Sequence, residues 1–294
     1  MRISSQYQFH VGNERIGSAQ RALFEAQRRV TTGKRVETMS DDPAIAAQGI
    51  ELRRASARAE QYRANIASAN AELGLSEQAL GEVTTVLRRA NELAVKGSNG
   101  LNDQATRDGL LAELKGIEDR LLNLANSKGS KDQYLFAGRN SGTKPFEATE
   151  TGVVYHGDDG RILVEVAPGE TEAANVAART QLTQAFEALT EIRQALESGD
   201  AKRLDETGLQ QVQAAIQGVV SLRGDVGAGM RGLDATAAHH QRRIDQFAKT
   251  ISDSEDVDLS VAITEFQAAE VAYTAALQVM SRSFGSSLMD FIRS

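Results

Sequence analysis

The sequence has no cysteine and no tryptophan, only 3 prolines, and aromatic residues make up 5% of it. Without cysteine there is no disulfide framework, no thiolate nucleophile and no cysteine metal site, while the redox compartment stays open. So few aromatics and prolines are poor material for a compact large-core enzyme, and helix formers dominate instead. No run reaches the eighteen or more consecutive apolar residues of a membrane span, so no membrane insertion is expected. The first residues lack the basic, apolar and small-residue succession of a cleaved secretory signal, and export would have to use another route. A formal net charge of −7 and a pI near 5.3 argue against nucleic acid as a partner, because phosphate binding needs a concentrated basic face. The cluster Arg53, Arg54, Arg58, Arg63 reads as the solvated side of a helix.

What the 294 residues do contain is heptad patterning. Near the C-terminus, Leu259, Ile263, Phe266, Tyr273, Leu277, Met280, Phe284, Leu288 and Phe291 fall mostly at alternating steps of three and four. The pattern misses a step at Glu270, beside Ala269, and Asp256 or Asp258 can cap the start. Such a helix needs a partner, since one seam alone stays wet. The N-terminal stretch supplies one: Phe9, Ile16, Leu23 and Val30 recur every seven, with Gly12, Ala19 and Ala26 between. Residues 1–40 carry 7 Lys or Arg against 3 Asp or Glu, and residues 253–294 carry 2 against 7. Net charges of +4 and −5 favour pairing of the two ends over self-pairing of either.

Between the ends, Gly33 breaks the first helix and Asp42-Pro43 starts a second. Ile45, Leu52, Ala59, Ile66, Leu73, Leu80, Leu87 and Ala94 lie seven apart along it, and a continuous helix to Lys96 would be roughly 80 Å long. Gly97 to Gly100 ends it, Asn102 or Asp103 caps a third, and Leu110, Leu114, Ile117, Leu121 and Leu124 form that seam. From Gln133 the period becomes alternating: Val153 to Tyr155, a Gly157-Asp158-Asp159-Gly160 turn, then Ile162, Val164 and Val166 predict a β-hairpin closed by Pro168-Gly169. A helix is expected from about Gln181 to Glu197. The longest seam runs Leu209, Val212, Ile216, Val219, Arg223, Val226, Met230, Leu233, Ala237, His240, Ile244, Phe247, Ile251.

The expected fold is therefore mainly α, an elongated antiparallel coiled-coil or helical bundle formed by both chain ends, with a small β-containing inserted domain. Its expected parts are a terminal assembly domain (1–40 and 254–294), a long-helix bundle (41–132 and 200–253) and an outer insertion (133–199). Thin seams of Ala and single Leu leave apolar surface exposed in a monomer, which points to assembly or folding on binding.

Catalytic and metal chemistry find little support. Of the four histidines, His10, His156, His239 and His240, the last two are adjacent and point about 100° apart on a helix, with no i, i+4 ligand to complete a metal site. Asp158-Asp159-Gly160 lacks the alternating oxygens of a calcium loop. The glycines form no phosphate loop, and no nucleophile has a base at recognisable spacing. Neither a cofactor nor an enzymatic activity is expected.

Several motifs occur together in an order that resembles a known family. Met1-Arg2-Ile3-Ser4, Thr32-Gly33-Lys34-Arg35-Val36 and Ser40-Asp41-Asp42-Pro43-Ala44 resemble the N-terminal signature of bacterial flagellins and flagellin-like proteins, and Ser287-Leu288-Met289-Asp290-Phe291 their C-terminal one. Tyr134-Leu135-Phe136-Ala137-Gly138 with Pro145-Phe146, Tyr155-His156-Gly157-Asp158-Asp159-Gly160, and Val226-Gly227-Ala228 with Leu233 resemble the hook-associated branch, the hook–filament junction proteins. Residues 167–204 match no motif. The resemblance implies a structural protein exported through the flagellar type III export apparatus and found outside the cell in the flagellum. It implies a ring of copies between hook-associated protein 1 and flagellin, terminal segments that fold on assembly, and a flagellar export chaperone on the C-terminal one. The second reading is a flagellin-type filament subunit. The residues expected to carry subunit and chaperone contacts are Phe9, Ile16, Leu23, Leu259, Ile263, Phe266, Tyr273, Leu277, Met280, Phe284, Leu288 and Phe291.

Overall fold

The computed structural model describes residues 2–99, 103–149 and 152–292, with side chains at 7, 9–99, 103–149 and 152–282. The fold is mainly α: long helices come from both ends, and a small antiparallel strand region lies between them. In chain order these are α1 (Arg2–Thr32), α2 (Pro43–Ser98), α3 (Gln104–Ala125), β1 (Phe146–Thr149), β2 (Gly152–Tyr155), β3 (Leu163–Ala167), β4 (Glu170–Ala173), α4 (Arg179–Ser198), α5 (Ala201–Arg203), α6 (Leu209–Glu255) and α7 (Leu259–Ile292). One π-helical turn, Leu204–Gly208, leads into α6. The chain divides into two compact units, Met1–Ala57 with Ile244–Ser294, and Arg58–Arg243.

Helix starts follow from side-chain caps. Asp42 Oδ1 accepts from the backbone N–H of Ala44 (3.0 Å) and Ile45 (3.1 Å), with Pro43 at the first helical position. Asp103 accepts from Thr106 N–H at 2.8 Å, while Asn102, the other expected cap, lies outside the described residues. Asp258 begins α7 by accepting from Ser260 N–H at 2.8 Å; Asp256 instead bonds Lys34 and Ser252. Gly33 ends α1 at φ 68°, the left-handed conformation that glycine adopts without strain.

The core of the larger unit is the seam of α2 and α6 closed over by α3 and α4. Every seventh α2 residue from Ala59 to Ala94 is buried, and so are Val212, Val219, Val226, Leu233 and His240 on α6. Gly74 and Gly81 leave α2 unbroken across 56 residues. They lie where α6 side chains approach: a Cβ at Gly74 would meet the Met230 methyl at 3.8 Å, and one at Gly81 the Arg223 guanidinium at 3.5 Å. Arg223, the polar step in the seam, donates to Glu77 Oε1. Asn70 Nδ2 donates to Asp234 at 2.7 Å, a second polar tie between α2 and α6.

The strand region differs from the single hairpin expected. There are two: β1 pairs with β2, and β3 with β4, each antiparallel. The Asp-Gly signal at 157–160 joins the hairpins rather than turning one. Asp158 Oδ1 accepts from the N–H groups of Arg139 (2.7 Å) and Gly160 (2.8 Å), which holds its carboxyl below the usual carboxylate range. Gly138, at φ 68°, has no room for a Cβ beside the Asp158 carbonyl. The Tyr155 hydroxyl lies 3.0 Å from the Phe136 carbonyl and 2.9 Å from that of Asp158; burial, with Asp159 and Asp158 nearby, pushes its pKa up to about 12. Phe146 stacks between Tyr155 (4.9 Å) and Phe186 (5.5 Å). The motifs at 134–138, 145–146 and 155–160 are thus one packed clasp.

Each hairpin is tied to a helix by one asparagine amide. Asn126, at the end of α3, accepts from Phe146 N–H (3.0 Å) and donates to its carbonyl (2.9 Å), standing in for a strand beside β1. Asn65 of α2 donates to the Glu165 carbonyl of β3 at 2.9 Å, and His240 Nε2 meets the Val166 carbonyl at 2.7 Å. Helix α4 covers the expected stretch with an extra residue or two at each end and buries Leu182, Phe186, Leu189, Ile192 and Leu196.

Candidate assembly interface

Helices α1 and α7 run antiparallel in the smaller unit, and three contacts fix their register. Met280 lies against Gly12, Arg29 pairs with Glu265 at 3.0 Å, and Lys34 forms an antiparallel bridge with Asp256. Counting along from these, Ala19 comes opposite Tyr273 and Ala26 opposite Phe266, while Ile16 and Leu23 come opposite Ala276 and Ala269. Small residues therefore face large ones in both directions, which lets the helices approach closely and fills the space between them. The small track on α7 is Ala262, Ala269 and Ala276, every seventh residue, mirroring Gly12, Ala19 and Ala26 on α1.

That register corrects the expected seam. Phe266, Tyr273 and Met280 are half-buried against α1, as are Ile16 and Leu23. Ile263 and Leu277 lie off the seam and are exposed; Leu259 is on the Phe266 track but 54% exposed, since its register position falls past the end of α1 at Thr32, and Phe9 is exposed toward the start of α1. The heptad of alanines was legible, but the larger Leu and Ile side chains drew the reading one position aside. Side chains of Phe284, Leu288 and Phe291 lie outside the described residues.

A second feature is absent from any seam reading: α7 carries a second apolar strip beside its seam. Val261, Val271 and Val279 form, with Ala268, Ala272 and Ala275, a face turned away from α1, and Val271 and Val279 are each 67% exposed. Among the described large apolar side chains left exposed, five belong to residues 1–57 and six to residues 244–294, against five in the much larger 58–243 unit. The exposed apolar surface is concentrated on the chain ends, well beyond the scattered singles of ordinary surfaces.

The base of the α1/α7 pair is tied by polar contacts. Arg35 and Val36 N–H donate to the Glu255 carbonyl (2.6 and 3.2 Å), and Val257 N–H to that of Gly33 (3.0 Å). The buried Glu255 carboxylate meets Arg53, with Lys34 at 3.8 Å, and packs on Gly49 where a Cβ would collide with it. Asp41 accepts from the N–H groups of Thr38 (2.9 Å) and Glu37 (3.1 Å) and from Arg28 (2.6 Å). The Thr38 amide first, then Arg28, hold its carboxyl far below the carboxylate range. The motifs at 32–36 and 40–44 are this joint.

Comparison with known proteins agrees. Residues 3–141 match the family model described as the bacterial flagellin N-terminal helical region. Over 171 residues the chain is 34% identical to flagellar hook-associated protein 3 of Salmonella typhimurium, 58% of this chain but only 53% of that one. Against flagellar hook-associated protein 3 of Escherichia coli it is 26% identical over 313 residues, 98% of both chains. The fold matches crystal structures of Bacillus cereus FlgL (TM-score 0.61, 23% identity, 69% of this chain and 99% of that) and of the flagellar junction protein FlgL from Legionella pneumophila (TM-score 0.57, 15% identity, 71% and 100%). The chain is thus similar to bacterial flagellin in its N-terminal part, residues 3–141, and to flagellar hook-associated protein 3 along its length. That similarity to hook-associated protein 3 runs from end to end, whereas flagellin E of Vibrio cholerae aligns over 47% of this chain and 37% of its own length.

Proposed function

We propose that this chain is a structural subunit of the hook–filament junction, a ring of copies between hook-associated protein 1 and flagellin. The single observation that carries the assembly role is the apolar face of α7, Val261, Val271 and Val279, left open on the side away from α1. Full-length similarity to hook-associated protein 3 favours the junction over a filament subunit. In this reading the seam of α1 and α7 orders each subunit's ends, and the outward face, with Phe9, Leu259, Ile263 and Leu277, meets neighbouring copies. The same residues, with Phe284, Leu288 and Phe291, take the export chaperone before secretion through the type III apparatus. Segments 1–40 and 254–294 assemble, 41–132 and 200–253 form the supporting bundle, and 133–199 is displayed outward. At roughly 25 cal/mol per Å² of apolar area, burial of this face offsets the ordering of the ends only when several neighbours act together, so assembly is cooperative.

Deleting Met280 to Ser294 tests the reading. Cells making only the shortened chain are expected to carry hooks without filaments; filaments of normal length would overturn it.

A further inference from the structure

Each hairpin leaves one strand edge open. In β1/β2, His156 N–H donates to the Pro145 carbonyl at 2.8 Å, so the in-register pairs alternate and the N–H and C=O groups of Val153 and Tyr155 point away from β1. On the opposite edge Asn126 occupies the equivalent groups of Phe146, but Val153 and Tyr155 have no backbone partner among the described residues beyond β2. That edge is one wall of an open groove of about 680 Å³, floored by α4 and walled on the far side by α6. Gly152, Val153 and Val154 line it on the strand side, Gln184 and Glu187 on the floor, Gln211 opposite. Its volume is within the roughly 300–1,000 Å³ of ligand-holding clefts.

We propose that this groove takes an extended, Lys- or Arg-bearing segment of a partner protein, added as a third strand beside β2. Main-chain bonds to Val153 and Tyr155 supply the attachment, the usual mode of strand addition at a free edge. Charge selects the occupant: the lining contains two carboxylates, Glu187 and Glu191, and no Lys or Arg. Glu191 is engaged by Arg203 at 2.6 Å, whereas Glu187 is exposed and has no ion pair among the described residues, leaving it to meet a cation. The other open edge of this chain, β4, carries Glu170 and Glu172 and would set like charges against Glu187, so a second copy's β4 is disfavoured.

The test uses the full chain and two capped pentapeptides, Thr-Val-Lys-Val-Thr and its Glu-for-Lys counterpart, with amide hydrogen exchange followed by NMR. The Lys peptide is expected to slow exchange at Val153 and Tyr155 by about tenfold or more at saturation, with the Glu peptide binding at least about tenfold more weakly. Val153→Pro, tolerated on an edge strand, should abolish protection at Tyr155, and Glu187→Gln should bring the two peptides to similar affinity. No protection at either amide, equal binding of both peptides to the unaltered chain, or indifference to Glu187→Gln would overturn the proposal. So would protection that appears without peptide and grows with chain concentration, which would assign the groove to a second copy.

Discussion

Gly12 and Gly49 lie under the Met280 thioether and the Glu255 carboxylate, so a single added methyl at either position has consequences far beyond its size. Gly12→Val is expected to overpack the α1/α7 seam by about 1–3 kcal/mol. Hydrogen exchange should then accelerate in α1 and α7 while amides around Leu80 keep their protection; unchanged exchange in α1 would show that the seam is not close-packed. In the larger unit, Leu87 is fully buried. Leu87→Ala should lower unfolding stability by about 2–5 kcal/mol in urea titrations followed by circular dichroism, through lost burial plus the cavity left behind. Acid acts at residue scale too. Asp41 and Asp158 have carboxyl pKa values lowered in the folded state by backbone N–H donors, with Arg28 assisting Asp41. A lowered folded-state pKa means that the stabilisation is fully present above the unfolded value near 4 and is lost as pH falls through the folded one. Stability should therefore hold from neutral pH to about 4 and decline below it, and Asp158→Asn should flatten that decline; an unaltered slope would contradict the assigned role of the Arg139 and Gly160 amides.

At the scale of elements, α7 has two sides with separable effects. Val271→Asp and Val279→Asp change exposed positions, so the melting temperature of the free chain should barely move, while incorporation into flagella should fail. Tyr273→Ala removes a half-buried seam residue and should loosen the α1/α7 pair in the free chain first, visible as faster exchange along α1. If the Asp variants assembled normally, the outward face would not be a contact surface. The same contrast explains how far the sequence was legible. In α2 and α6 the apolar stripe is narrower, so a period of seven located the buried residues from Ala59 to Ala94 and, on α6, Val212, Val219, Val226, Leu233 and His240. In α7 a second apolar strip adjoins the seam, the period no longer marks a single face, and Ile263 and Leu277 were read into a track that alanines hold. The strand region was hidden for a different reason. Asp158 and Gly160 look like turn residues because they satisfy local backbone groups, but the groups they satisfy include Arg139 nineteen residues away, which local patterning does not encode. The amide ties of Asn65 and Asn126 are likewise long-range and had no sequence signal beyond the residue type.

For the whole molecule, exposed apolar side chains gather on the chain ends and the buried core in residues 58–243. In the proposed role, residues 58–243 hold the subunit's own core and the chain ends are completed by neighbouring subunits on assembly. Similarity to the flagellin N-terminal region and, end to end, to hook-associated protein 3 supports the proposal that those neighbours are hook-associated protein 1 on one side and flagellin on the other. The most direct measurement is electron microscopy and motility of a strain lacking this chain, with flagellin assayed in the medium. The account predicts non-motile cells bearing hooks without filaments and flagellin lost to the medium. Hooks with no flagellin anywhere would make this chain the filament subunit instead, and intact, motile filaments would contradict the junction role outright.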